Sequence, residues 1–152
     1  RLNSGVRCEM QSVEFGSKEH ERIAIEVFGY ERAASGEYWD DNWLAVEVSV
    51  AAGAFRGKYK ASFMAGEFED FHQQLKGLLE ALRGEAKFQT IEGQLSLALI
   101  GDGLGHIQIR GEAIDEAGIG NRLIFTSVID QTQLQSSVRA LGAVVAAYPV
   151  RT

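Results

Sequence analysis

The chain predicts an α+β fold built on an antiparallel sheet, and three observations carry that prediction. Apolar and polar residues alternate in several short runs, two longer stretches switch to a helical period, and each helical stretch follows a run of strands. Single strands do not alternate with helices as they do in a parallel sheet, so the helices belong on an antiparallel sheet.

The elements follow in order. Ile23, Ile25 and Val27 alternate, and Phe28-Gly29-Tyr30 leads into Ala33-Ala34-Ser35-Gly36, which reads as a strand ending in a turn. A second strand begins at Trp43. Leu44, Val46, Val48 and Val50 share one face and Glu47 and Ser49 the other, until Ala51-Ala52-Gly53 closes the run. Phe55, Tyr59 and Phe63 mark its partner, making 44–63 a hairpin.

From Glu67 the spacing predicts an amphipathic helix over 67–83, with Phe68, Phe71, Leu75, Leu78, Leu79 and Leu82 on one stripe and Gly84 as its stop. Glu67, Glu69 and Asp70 occupy the first turn and Arg83 the last, the charge order a helix dipole favours. Leu95, Leu97 and Leu99 then alternate up to Gly101-Asp102-Gly103-Leu104-Gly105. Ile107 and Ile109 follow, and Leu123, Phe125 and Ser127 continue after Gly118-Ile119-Gly120-Asn121. A second amphipathic helix is expected over 131–148, starting near Asp130 with Leu134, Val138, Leu141 and Val144 on its stripe and closed by Pro149. The expected total is seven to eight strands and two helices.

Displacing the chain against itself by 66 positions superposes Phe68 on Leu134, Leu75 on Leu141 and Leu78 on Val144. This hints at a strand-strand-helix unit used twice, although hydrophobic periodicity is the only thing that matches. A length of 152 residues suits one domain, 1–152, and buries roughly two-thirds of the unfolded surface without help from a disulfide or metal.

The composition is 45% hydrophobic and 24% charged, within the globular range, so a disordered chain is excluded. A net charge of −6 opposes phosphate backbones and anionic lipid, and this argues against direct nucleic-acid or membrane-surface binding. The same charge also serves a small domain simply as a solubilising coat. Cys8 is the one cysteine, which leaves no internal disulfide and fits a reducing, cytoplasmic setting. No apolar run approaches the roughly 20 residues of a membrane span, and Arg1 to Val6 lack the apolar core of a secretion signal. Because the chain begins at arginine, an upstream segment or excised leader stays open.

Catalytic chemistry finds little support. Asp40 and Asp41 are neighbours, so on an extended backbone they point to opposite sides and make a poor acid and base pair. Glu37, Asp40, Asp41 and Asn42 lack the alternating ligand positions of a calcium loop. The glycines at 101, 103 and 105 run on into a strand and not into a helix, so they suit a hairpin turn better than a phosphate cradle. At 118–121 the same holds, with Asn121 able to take a left-handed conformation. His20, His72 and His106 are scattered, and Cys8 has no base near it, so neither a metal, a cofactor nor a catalytic residue is assigned. His106 with Asp102 across a turn is the nearest approach to a catalytic pair.

The most distinctive stretch is Tyr38-Trp39-Asp40-Asp41-Asn42-Trp43-Leu44, where both tryptophans meet a cluster of acidic and amide groups ahead of a strand. Its structural reading is a turn shaped by Asp and Asn with the tryptophans covering the sheet. Its functional reading is recognition of a basic partner. Together with Phe28-Gly29-Tyr30-Glu31-Arg32, Gly101 to Ile107, Gly120-Asn121-Arg122-Leu123 and Asp130 to Leu134, it resembles the WapI-like bacterial immunity proteins, over Ile23 to Val150.

The resemblance implies a non-catalytic protein that binds and neutralises a cognate protein toxin, commonly a nuclease. Glu37, Asp40 and Asp41 would supply charge and Tyr38 and Trp39 anchors, with Asn42 beside them and Trp43 as a further anchor. A rival of a different class is a small-ligand binding domain with a pocket between the sheet and the helices or in the curve of the sheet, lined by Phe55, Tyr59 and Tyr148. The sequence leaves the oligomeric state open.

Overall fold

The computed structural model describes residues 10–152; Cys8 and the opening residues 1–6 lie outside them. Eight antiparallel strands and three helices run in the order β1 (Gln11–Lys18), β2 (Glu21–Tyr30), α1 (Tyr38–Asp41), β3 (Trp43–Ala52), β4 (Phe55–Met64), α2 (Ala65–Ala81), β5 (Arg83–Gln89), β6 (Leu95–Asp102), β7 (His106–Ile114), β8 (Arg122–Asp130) and α3 (Gln131–Ala147). The strands divide into two four-stranded meanders, β1-β2-β3-β4 and β5-β6-β7-β8. Each meander ends in a long helix. The helices start 66 residues apart, and the unit used twice is four strands and a helix, larger than the strand-strand-helix unit expected.

The helices do not share one face of one sheet. Instead α2 packs along β5 of the following meander, α3 returns along β1, and the two helices pack on each other. Five phenylalanines hold this junction: Phe88 of β5 lies 4.9 Å from Phe71 and 5.6 Å from Phe68 of α2, and 5.3 Å from Phe63 of β4. Phe71 in turn meets Phe15 of β1 at 5.8 Å. These rings sit within one buried cluster that draws side chains from both meanders, so each half covers the apolar face of the other.

Local chemistry explains where the elements begin and end. In β3 the alternation of Leu44, Val46, Val48 and Val50 places all four in the core. α2 starts two residues before the expected position, directly from β4, and Glu67 folds its carboxylate back to accept from Met64 N at 2.7 Å. The helix ends at Leu82, which takes the left-handed conformation (φ 57°), and not at Gly84. Arg83 accordingly belongs to β5, and no basic residue occupies the last turn of α2. α3 opens with a reciprocal cap, in which Asp130 accepts from Gln133 N at 2.8 Å and Gln133 accepts from Asp130 N at 2.9 Å. In the β7–β8 connection Asn121 does not take a left-handed conformation. It donates to Asp115 from its backbone N at 2.7 Å and from Nδ2 at 3.2 Å, so a side-chain acceptor shapes this turn.

Candidate partner-binding loop

Between β2 and β3 the chain makes a short excursion, 31–42, closed at its base by Glu31 N donating to Trp43 O at 2.9 Å. Its second half is the single helical turn α1, where a turn shaped by Asp and Asn was expected. Asp41 N and Asp40 N both donate to Glu37 O, at 2.9 and 3.1 Å. Consecutive residues of a helical turn lie about 100° apart, and this separates the two aspartates into different environments.

Asp41 turns inward and is only 4% exposed. Its carboxylate accepts from Ser35 N at 2.9 Å, Ser35 Oγ at 2.8 Å and Gly36 N at 2.8 Å. These donors, the Ser35 hydroxyl foremost, hold its pKa below the ordinary carboxyl value. Asn42 is fully buried and ties the loop to the far end of the chain. Its Oδ1 accepts from Arg151 N at 2.7 Å, while its Nδ2 donates to Arg151 O and to Tyr38 O, each at 2.9 Å.

Arg151 completes the clasp. Its Nε donates to Asp41 O at 2.9 Å, its second guanidinium nitrogen donates to Arg32 O at 2.8 Å, and its charge lies 3.7 Å from the centre of the Tyr30 ring. Tyr30 donates from its hydroxyl to Pro149 O at 2.5 Å and meets Tyr148 edge to face at 5.6 Å. Asp41 and Asn42 therefore build the platform, and four of the six expected contact residues face solvent.

Those four are Glu37, Tyr38, Trp39 and Asp40. Trp39 is 65% exposed and stands edge to face with Tyr38, centroids 5.2 Å apart. Tyr38 is half-exposed, with its hydroxyl beside Gly66 at the start of α2. Asp40 pairs with Arg32 at 3.0 Å on the surface, and such a pair leaves both groups free to exchange partners. Trp43 sits half-buried at the head of β3. What spacing could not reveal is the role of Arg151 and Ser35, which come from positions 110 and 6 residues away from Asp41.

The other candidates separate. His106 Nδ1 lies 3.2 Å from Asp102 Oδ2 in the exposed β6–β7 turn. Asp102 also accepts from Leu104 N at 2.7 Å, the main reason its pKa is lowered, so this carboxylate shapes the hairpin turn. Phe55 and Tyr59 line an open groove of about 290 Å³ between the β3–β4 hairpin and the β7–β8 connection, and not a pocket between sheet and helices, since no residue of α2 or α3 borders it. Tyr148 is not part of it, being packed against Tyr30. Among the described residues no group of three or more His, Cys, Asp or Glu is placed to hold a metal. No helix of the described residues is long and apolar enough to cross a membrane.

The family model for the immunity protein WapI-like family matches residues 14–149. No curated protein matches the chain in sequence. A solved structure titled "Crystal structures of trypanosoma bruciei MRP1/MRP2" is similar over 90% of this chain and 83% of that one, with 7% identity and a TM-score of 0.46.

Proposed function

The chain belongs to the immunity protein WapI-like family, and from that premise we propose that it protects by binding a cognate toxin domain, a nuclease, through the outer face of the 31–42 loop. The reading rests on one observation above others: Trp39 is 65% exposed on a turn whose underside is fastened by Asp41, Asn42 and Arg151. A large apolar ring held out in water costs free energy in the isolated protein, which a partner's pocket recovers. A rigid support lowers the entropy lost on binding. Aromatic anchors surrounded by charge are the usual makeup of an energetic centre in a protein interface.

The charge of the loop supports the choice of partner. On its exposed side the loop carries Glu31, Glu37 and Asp40 against Arg32, while Asp41 lies beneath it beside Arg151. A nuclease presents cations to phosphate, so an anionic loop speeds encounter and competes for the same groups. The protein acts by occupation, with no bond made or broken by its own residues.

The experiment is co-expression of the chain with candidate nuclease toxin domains from the same genome, scoring survival and measuring affinity with purified proteins. Trp39→Ala is expected to weaken binding at least tenfold, an effect of the size seen for interface anchors. Glu37→Lys with Asp40→Lys is expected to slow association most at low salt. Undiminished affinity in Trp39→Ala would remove this loop from the interface.

A further inference from the structure

The four sheet edges are protected unequally. β1 and β5 are shielded by helices: Ser137 Oγ of α3 donates to Glu14 O, and Gln74 Oε1 of α2 accepts from Lys87 N at 2.9 Å. β4 exposes Arg56, Lys58 and Lys60, cations of the kind that keep an edge from pairing with its own copy. β8 has neither safeguard. It runs nine residues with no proline, no lysine and no shift of register, and exposes Ile124 (72%) and Val128 (56%) around Thr126. Among the described residues, the backbone of 123–129 bonds only to β7.

The order of residues along this strand is complementary to itself. We propose that β8 pairs antiparallel with β8 of a second copy, about a two-fold axis at Thr126, joining two four-stranded meanders into one continuous eight-stranded sheet. In that register Arg122 stands opposite Asp130, Ile124 opposite Val128, and Thr126 opposite itself. Each end then sets a cation against an anion, and the middle sets β-branched side chains together, the pairings that stabilise neighbouring strands.

The groups are free to do this. The Arg122 side chain is 60% exposed, held only by a surface contact to Glu112 at 3.2 Å, and Asp130 caps α3 through Oδ1 while its residue stays exposed. Sliding the second copy by two residues places Asp130 opposite Ile124 or Arg122 opposite Val128, so charge meets an apolar side chain and the alternative registers lose. An interface of this kind is isologous and closes at two copies.

The test uses the whole chain with Cys8→Ser, followed by sedimentation and light scattering against concentration. The mass is expected to rise from 16.6 kDa to twice that value, and Ile124→Lys with Val128→Lys to hold it at one chain. Both positions are exposed, so an unchanged thermal melt of the double variant separates lost pairing from lost folding.

Register is read by oxidation. Thr126→Cys is expected to link to its own copy, since opposed Cα atoms in antiparallel strands lie about 4.5–5.5 Å apart, within disulfide reach. Ile124→Cys alone is expected not to link, its copy being about 14 Å along the strand; mixed with Val128→Cys it should. A single-chain mass at the highest attainable concentration would overturn the proposal, as would a dimer that survives the lysine pair. Linking of Ile124→Cys to itself while Thr126→Cys stays free would do the same. A chain that pairs β8 only with a strand of another protein would show the first of these results.

Discussion

Asp41 and Asp40 illustrate how adjacent identical residues acquire opposite duties. One helical turn aims Asp41 at three donors and Asp40 at water and Arg32. Because the folded pKa of Asp41 lies below the ordinary 3.8, the unfolded chain takes up its proton at higher pH than the folded one. Its contribution is therefore complete above that value and is lost as pH falls through the folded pKa. Asp41→Asn is expected to lower the melting temperature at neutral pH and to flatten its acid decline below about pH 4, as a series of thermal melts would show. Asn42→Ala leaves the Arg151 N–H and two carbonyls without their buried partner. A loss of about 3 kcal/mol is expected in denaturant unfolding. Ser127 is the reverse case: its hydroxyl is buried without a partner among the described residues, so Ser127→Ala is expected to be neutral or to stabilise by up to about 1 kcal/mol.

At the scale of elements, the junction of α2 with β5 depends on close backbone approach. Leu82 ends the helix in a left-handed conformation that costs a side-chain-bearing residue about 1 kcal/mol, and its carbonyl accepts from Gly103 N at 2.7 Å. A methyl group at Gly101 would lie 2.5 Å from that same carbonyl oxygen, with backbone atoms that cannot move aside freely. Gly101→Ala is expected to cost about 1–3 kcal/mol, measurable by urea unfolding, whereas alanine at Gly77, which faces open space, is expected to be tolerated. Both long helices and six of the eight strands announce themselves by period. β1 and β5 do not, because each offers the core only two apolar side chains: Val13 and Phe15 in one, Ala86 and Phe88 in the other. Their other neighbours are helices from the opposite meander, a partnership with no trace in local alternation.

At the scale of the whole molecule, each half is completed by the other. Phe88 meets three rings from β4 and α2, so Phe88→Ala is expected to cost about 3–5 kcal/mol and to lower both halves together in one cooperative transition. Separate melting of the two halves would show that the shared core is weaker than the packing suggests. The loop of 31–42 belongs to this scale too, since residues 148–151 brace it from the end of the second meander.

The order of the six strands with a clear period and of the two long helices, the helical stripes, the doubling by 66 residues and the aromatic and acidic character of the 38–43 segment were determined by the sequence itself, because period and composition are local properties. The tertiary structure decided the rest: that eight strands part into two sheets, that α2 and α3 cross over to cover the other meander, and that Asp41 and Asn42 turn inward while Trp39 stays out. Those outcomes depend on which distant surfaces meet. Arg151 reaches the carbonyl of Asp41 only after both meanders have folded around a common core, and a contact that spans 110 residues leaves no periodic mark on either segment that makes it.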